Sequence, residues 1–178
     1  MDLHILLDWF KQYSYICIPI LAFIIDTIIG DPNSKFHPVA LIGRIITFYE
    51  AVFYKETDND TKKLWYGGIT VGFILLTVYI IASLLLWIGG LINEWVEYVI
   101  QVLIVYITIS TRSLGAAGFE INRLLKQGLI NEARERVSWI VGRDTDYLDE
   151  GEITRATVET IAENTIDGIV SPLFFFIL

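Results

Sequence analysis

The chain has 178 residues, of which 54% are hydrophobic and only 19% charged, and its net charge is −8. Its mean hydropathy of +0.54 is high for a soluble domain, where about a quarter of residues are charged, and points to an integral membrane protein. Carboxylates interleaved with arginines exclude nucleic acid as a partner, and the single Cys17, in an apolar run, excludes a disulfide framework or thiolate metal cluster.

The opening MDLHILLDWFKQYSY places Leu3, Leu6, Leu7 and Phe10 near one helical side, an amphipathic start suited to a membrane interface. Tyr15 to Ile29 is apolar apart from Asp26. An acidic start without a small-x-small cleavage signal argues against a signal peptide, so this run is expected to be a retained first membrane helix. Asp26 is costly there unless it faces protein, water or a cation, or sits at the helix mouth. Gly30-Asp31-Pro32 stops the helix, because a residue before proline favours extended backbone and Pro32 has no N–H to donate. Phe36-His37-Pro38-Val39 and Gly43-Arg44 follow, so Asp31, His37 and Arg44 are candidates for a polar pocket at the membrane edge. His4 and His37 are the only histidines, which makes a multi-histidine zinc site implausible.

Val39 to Tyr54 is expected to be a membrane-associated helix and Lys55 to Lys63 a polar linker. Trp65 to Ile92 is uncharged and long enough to cross a bilayer with tilt, with Trp65 and Trp87 suited to the headgroup belts. After a short acidic turn with Glu94 and Glu97, Tyr98 to Ser110 returns, just long enough if Trp95 and Thr111 belong to it. Lys35, Arg44, Lys55, Lys62 and Lys63 precede the hairpin, and Arg112, Arg123, Lys126, Arg134, Arg136, Arg143 and Arg155 follow it. The positive-inside rule therefore puts both flanking regions in the cytoplasm and the N-terminus and short turn outside. The expected organisation is membrane helices over 1–111 with a cytoplasmic-side loop at 31–64, a cytoplasmic helical region over 112–170, and the start of a membrane segment at 171–178.

Within that helical region, Leu114, Ala117, Ile121, Leu124 and Leu125 form one apolar stripe ended by Gly128. Ile130, Ala133, Val137, Ile140 and Val141 form another, with Gly142 expected at C′ and Glu132 expected to pair with Arg136. Arg143-Asp144-Thr145 then lies in a loop on a rigid support, and Asp149 with Glu152 three residues on makes a capping box.

From Gly142 to Leu173 the chain concentrates its ionic chemistry. Projected at 100° per residue, Glu152, Arg155, Glu159, Glu163 and Asp167 fall within an arc of roughly 120°, opposite Val158, Ile161, Ala162 and Ile169. The stripe reads either as a solvated face with Arg155 paired to Glu159, or as a site. As a site, clustered carboxylates call for a hard cation such as Mg²⁺, and Arg112, Arg143 and Arg155 suit phosphate. With neither Walker A nor GxGxxG present, no standard P-loop or Rossmann site is expected. The same ingredients fit a transporter of a cation or organic anion, whose acidic helix lines a pathway.

Five stretches together resemble one family: Asp26 to Pro32 (DTIIGDP), His37-Pro38-Val39 with Gly43-Arg44, Thr111 to Gly118 (TRSLGAAG), Ile140 to Thr145 (IVGRDT), and Glu152 to Phe174. The chain is similar to the N-terminal portion of the adenosylcobinamide-phosphate synthase family of cobalamin biosynthesis, membrane proteins called CobD or CbiB. That resemblance implies a mainly α, multi-spanning enzyme of the cell membrane with a cytoplasmic helical insert. It implies ATP- and Mg²⁺-dependent amide formation between adenosylcobyric acid and (R)-1-amino-2-propanol or its O-phosphate, for which an acyl phosphate is a reasonable intermediate. Mapped onto these motifs, Glu159, Glu163, Asp167 and His37 are the expected catalytic residues. Glu152, Glu159, Glu163 and Asp167 are the expected Mg²⁺ ligands. Arg112, Arg143, Arg155, Arg44 and Asp31 are expected to hold nucleotide and substrate phosphates.

Family members continue beyond the Ser171-Pro172-Leu173-Phe174 segment, so the chain is expected to be a fragment or one half of a split protein. Its expected partners are the corrinoid and amino alcohol substrates, the bilayer, and the missing C-terminal portion or a second copy. A transporter and a non-catalytic membrane partner remain the alternatives; a synthase consumes corrinoid acid, whereas a transporter accumulates it unchanged.

Overall fold

The computed structural model describes residues 3–30 and 38–178, and among these residues regular structure is entirely helical. In chain order the helices are α1 (Leu3–Gln12), α2 (Ser14–Ile29), α3 (Pro38–Phe53), α4 (Asp60–Ile92), α5 (Glu94–Thr108), α6 (Thr111–Lys126), α7 (Ile130–Ser138) and α8 (Glu150–Thr165). A π-helical turn (Ile166–Val170) joins α8 to α9 (Ser171–Ile177). Two helical runs, Asp60–Ile92 and Glu94–Lys126, are long and apolar enough to cross a membrane. The second is interrupted between α5 and α6.

Local chemistry accounts for several of the boundaries. Asn59 caps α4, its side chain accepting from the Lys62 N–H at 2.9 Å. Gly128, at φ 73, closes α6 in the left-handed region. The Asp149–Glu152 capping box at the start of α8 is complete, with Glu152 N–H to Asp149 Oδ1 at 2.8 Å and Asp149 N–H to Glu152 Oε2 at 2.9 Å. Helix α7, however, stops at Ser138, and Gly142 has no positive φ, so the expected C′ glycine is corrected. The last turn tightens instead through i→i−3 bonds from Trp139 to Arg136 and from Ile140 to Val137.

The chain forms two compact units, one of residues 32–107 and one that combines 1–31 with 108–178. In the first, α3 packs on α4 through aromatic rings, with Tyr49 and Phe53 each stacked on Phe73 at 5.7 and 5.8 Å between centroids. Gly89 admits the close return of α5, since a Cβ there would stand 2.6 Å from Ile100 Cδ1. None of the most apolar stretch of α4 is buried, as suits a helix whose solvent is lipid.

The second unit holds a three-helix core made by Ile121 of α6, Ala133 and Val137 of α7, and Ile153 and Ala156 of α8. Ile140, Val141 and Leu148 of the loop after α7 pack on it, so the apolar stripe outlasts the helix that carries it. Two further expectations are corrected here. Arg136 pairs with Glu120 of α6 at 2.6 Å and lies over the Trp139 ring at 4.3 Å, in place of pairing with Glu132. A partner on a neighbouring helix combined with ring stacking outcompetes a weak i,i+4 contact. Val158, expected on the packed side of α8, is 63% exposed, because the buried seam runs through Ile153, Ala156 and Thr157.

Past α8 the helix widens where Pro172 intervenes. Proline has no N–H for the Gly168 carbonyl four residues back, and its ring crowds that carbonyl. The helix answers with an i→i−5 bond from Ser171 to Ile166, and the freed Gly168 carbonyl accepts from the Ser110 N–H at 3.2 Å. The break between α5 and α6 and the widened turn thus satisfy one another.

Candidate functional site

The loop after α7 is anchored at both ends before it reaches α8. Arg134 Nε donates to the Leu148 carbonyl at 2.7 Å, and the buried Thr145 donates its hydroxyl to the Arg134 carbonyl at 3.2 Å. Asp144 closes a small turn by accepting from the Asp146 N–H at 3.1 Å. This tethering presents Arg143 to one face of α8. Between them lies an open cleft of about 470 Å³ lined by Arg143, Glu159, Thr160, Glu163 and Asn164, with Ile140 and Val141 as its apolar floor.

Glu159 is the centre of its charge network. One carboxylate oxygen accepts from Arg155 Nε at 2.7 Å, and the other lies 3.7 Å from Arg143 Nη2. The hydrogen bond from Arg155 holds the Glu159 carboxyl below the usual carboxylate range; desolvation opposes it, and the charges of Arg155 and then Arg143 add smaller effects in the lowering sense. The same bond raises Arg155. All three side chains are at least half exposed, so the network contributes little stability; it sets charge and orientation. Arg143 is the looser partner and the one able to leave for an incoming anion.

The remaining expected site residues fall in different places. Glu163 lines the cleft, exposed, its carboxylate without a hydrogen bond or ion pair among the described residues. Asp167, also exposed and unpaired, stands in the π turn. Glu152 is taken up by the capping box. Arg112 lies at the start of α6, its guanidinium donating to the Ile28 carbonyl at the end of α2. Arg44 belongs to α3 in the other unit. Asp31 and His37 lie outside the described residues. Among the described residues no group of three or more His, Cys, Asp or Glu is arranged to hold a metal ion.

Sequence reasoning missed Thr145 as the anchor of the Arg143 loop, and it missed Asn164 and Thr160 in the cleft wall. For Asn164 a signal existed, since it lies one residue from Glu163 on the flank nearer the loop. For Thr145 there was none, because its partner is a backbone carbonyl on the preceding helix.

The family model for CobD/Cbib protein matches residues 19–178. The chain belongs to this family. It is 36% identical over 158 residues to the cobalamin biosynthesis protein CobD of Photorhabdus laumondii, covering 88% of this chain and 49% of the relative. It is 39% identical to the cobalamin biosynthesis protein CbiB of Salmonella typhimurium, covering 89% of this chain and 50% of that protein. To CobD of Clostridium perfringens it is 38% identical over 156 residues, covering 88% and 49%. The chain therefore spans about half the length of these curated relatives. No solved structure matches it.

Proposed function

We propose that the chain supplies a polar site of a membrane-bound, amide-forming synthase of cobalamin biosynthesis. The reaction joins adenosylcobyric acid to (R)-1-amino-2-propanol or its O-phosphate at the expense of ATP. The observation that carries this reading is the cleft, where Arg143, two glutamates and an asparagine converge on a single loop–helix junction within the family match, with Arg155 bonded to one of those glutamates.

Amide formation needs the carboxylate oxygen turned into a leaving group, anionic phosphates held, and a proton removed from the attacking amine. Arg143 and Arg155 would hold phosphate through their planar forks, with Arg143 released from its 3.7 Å approach to Glu159. Glu163, free of partners, would receive the amine proton or orient the amine. The donor set fits Mg²⁺ in a limited way: Glu152 and Glu159 are engaged elsewhere, leaving Glu163 and Asp167. One or two carboxylates completed by water and substrate phosphates is the ordinary protein share of a Mg²⁺ site. Bound there, Mg²⁺ would neutralise phosphate charge.

The basic residues flanking the Trp65 to Thr111 hairpin support a cytoplasmic placement of the cleft. The test is incubation of the protein in its native membranes with corrinoid acid, ATP, Mg²⁺ and the amino alcohol phosphate, read by mass spectrometry. A product heavier by the amino alcohol phosphate less one water is expected. Unchanged corrinoid, accumulated inside sealed vesicles, would overturn the proposal in favour of transport.

A further inference from the structure

Helix α2 ends where α6 begins, and each end is satisfied by the other helix. Oδ2 of Asp26 accepts from the Thr111 N–H at 2.6 Å and from the Arg112 N–H at 3.4 Å, across a separation of 85 residues to Thr111. Ser110 holds the N-cap position of α6 yet makes no side-chain cap, and the fully buried Asp26 serves in its place. In return the Arg112 guanidinium donates to the Ile28 carbonyl, one of the last carbonyls of α2, which have no donor within the helix. A carboxylate thus meets a helix N-terminus and a guanidinium a C-terminus, the arrangement both dipoles favour. The crossing is charge-balanced, with one acid and one base.

Two further observations bear on what the pair does. Gly30, the C-cap of α2, lies against Arg112, since a Cβ there would be 2.7 Å from Arg112 Cδ. The Arg112 side chain is thus packed directly against the glycine that ends α2. Asp26 Oδ1 and Thr111 Oγ1 are both buried without a hydrogen-bond partner among the described residues. Orphaned polar atoms carry a cost, so this junction is kept for the geometry it enforces rather than for stability alone.

We infer that Asp26 and Arg112 are a reciprocal positioning pair, each capping the other's helix, and that Arg112 is not a phosphate ligand. The kinetic part of this inference rests on the proposed synthase activity; the coupling between the two residues does not. Arg112, expected from sequence among the phosphate-holding arginines, is engaged with a helix end, and its work is to hold the end of α2 against the start of α6. Asp26, a charge in an apolar helix, has its counterpart in the amides of α6.

The test uses Asp26→Asn, Arg112→Gln and the double variant in native membranes, with Arg112→Lys as the conservative rescue and Thr111→Val as control. Each single variant should lower kcat roughly 10- to 150-fold, the effect of losing one charge-assisted hydrogen bond, while KM for nucleotide stays unchanged. The double variant should lose little more than either single one. Arg112→Lys, still able to donate to the Ile28 carbonyl, should recover much of the rate. Thr111→Val removes only an orphaned hydroxyl and should leave the kinetics as they are and the unfolding temperature equal or higher. A nucleotide KM raised tenfold or more by Arg112→Gln and untouched by Asp26→Asn would overturn the inference and return Arg112 to phosphate binding. If the wild-type protein forms no amide, the proposed function falls, and the pair is then judged by unfolding temperature: non-additive losses uphold it and additive losses overturn it.

Discussion

Replacing Gly30 by alanine tests the junction of α2 and α6 through its backbone. Gly30 has φ 71 and ψ −176, a region that essentially only glycine occupies, and a side chain there carries roughly 1–3 kcal/mol of strain. The added Cβ would also meet Arg112 at 2.7 Å from Cδ and 3.3 Å from Cγ, so the arginine must swing away from the Ile28 carbonyl. Loss of a hydrogen bond from a charged donor adds roughly 1.5–3 kcal/mol. Together these give roughly 2.5–6 kcal/mol, a large share of the stability of an ordinary domain. For a chain of this size the unfolding temperature should fall by roughly 5–24 °C. Gly128 provides the control: it has φ 73, but a Cβ there meets nothing within 4 Å, so alanine carries only the left-handed penalty of about 1–2 kcal/mol. Thermal unfolding of both variants, followed by tryptophan fluorescence in detergent, separates backbone strain from the Arg112 contact. Equal shifts for the two variants would refute the reasoning.

Glu163→Gln should raise the Mg²⁺ concentration needed for amide formation several-fold, whereas Glu132→Gln should not; equal Mg²⁺ dependence would remove Glu163 from the metal site. Because the Glu159 pKa is lowered in the folded protein, its pairing with Arg155 is fully present above the ordinary glutamate range and is lost only as pH falls through the lowered folded value. The stability difference between the wild type and Glu159→Gln should accordingly be flat from pH 5 to 8, bounds taken as roughly the range above an ordinary glutamate pKa, and vanish in stronger acid. Cysteines placed at Glu56 and Gln127, in a Cys17→Ser background, should resist an impermeant thiol reagent outside intact cells, while one at Asn93 should react; labelling at Gln127 would invert the proposed topology.

Helical periodicity made most of the helices legible, together with the α6–α7–α8 core, since apolar spacing and packed face coincide at Ile121, Ala133 and Val137. The capping box at Asp149 was legible for the same local reason. Two kinds of feature were not. Arg136 chose Glu120 over Glu132 because helix packing brings a distant carboxylate closer than an i,i+4 neighbour. Asp26 was visible as a costly charge in an apolar run, but its partners are backbone amides 85 residues away, which no local pattern announces. The cleft was half legible: the α8 stripe predicted Arg155 beside Glu159, while the approach of Arg143 depends on the Thr145 tether.

The acidic stripe, a single feature when drawn on an ideal helix, divides into parts with separate work. Glu152 holds the start of α8 and Glu159 is shared by two arginines, so the charge left for a ligand is concentrated toward the C-terminal end, at Glu163 and Asp167. There the helix departs from the 100° projection, because Pro172 denies Gly168 its donor and the turn widens. The side-chain directions of Asp167 and everything after it are therefore set by the π turn and not by the spacing that first grouped it with Glu163. The Gly168 carbonyl released by that turn accepts from Ser110, immediately before Thr111 and Arg112, whose amides are capped by Asp26. One run of contacts thus links the acidic end of α8 to the crossing of α2 and α6. A change at Pro172 that restored a regular helix, such as Pro172→Ala, would return a donor to Gly168, withdraw its carbonyl from Ser110, and re-aim Asp167. The residue least suspected of chemistry in the acidic segment is, on this geometry, the one that sets the direction of its last carboxylate.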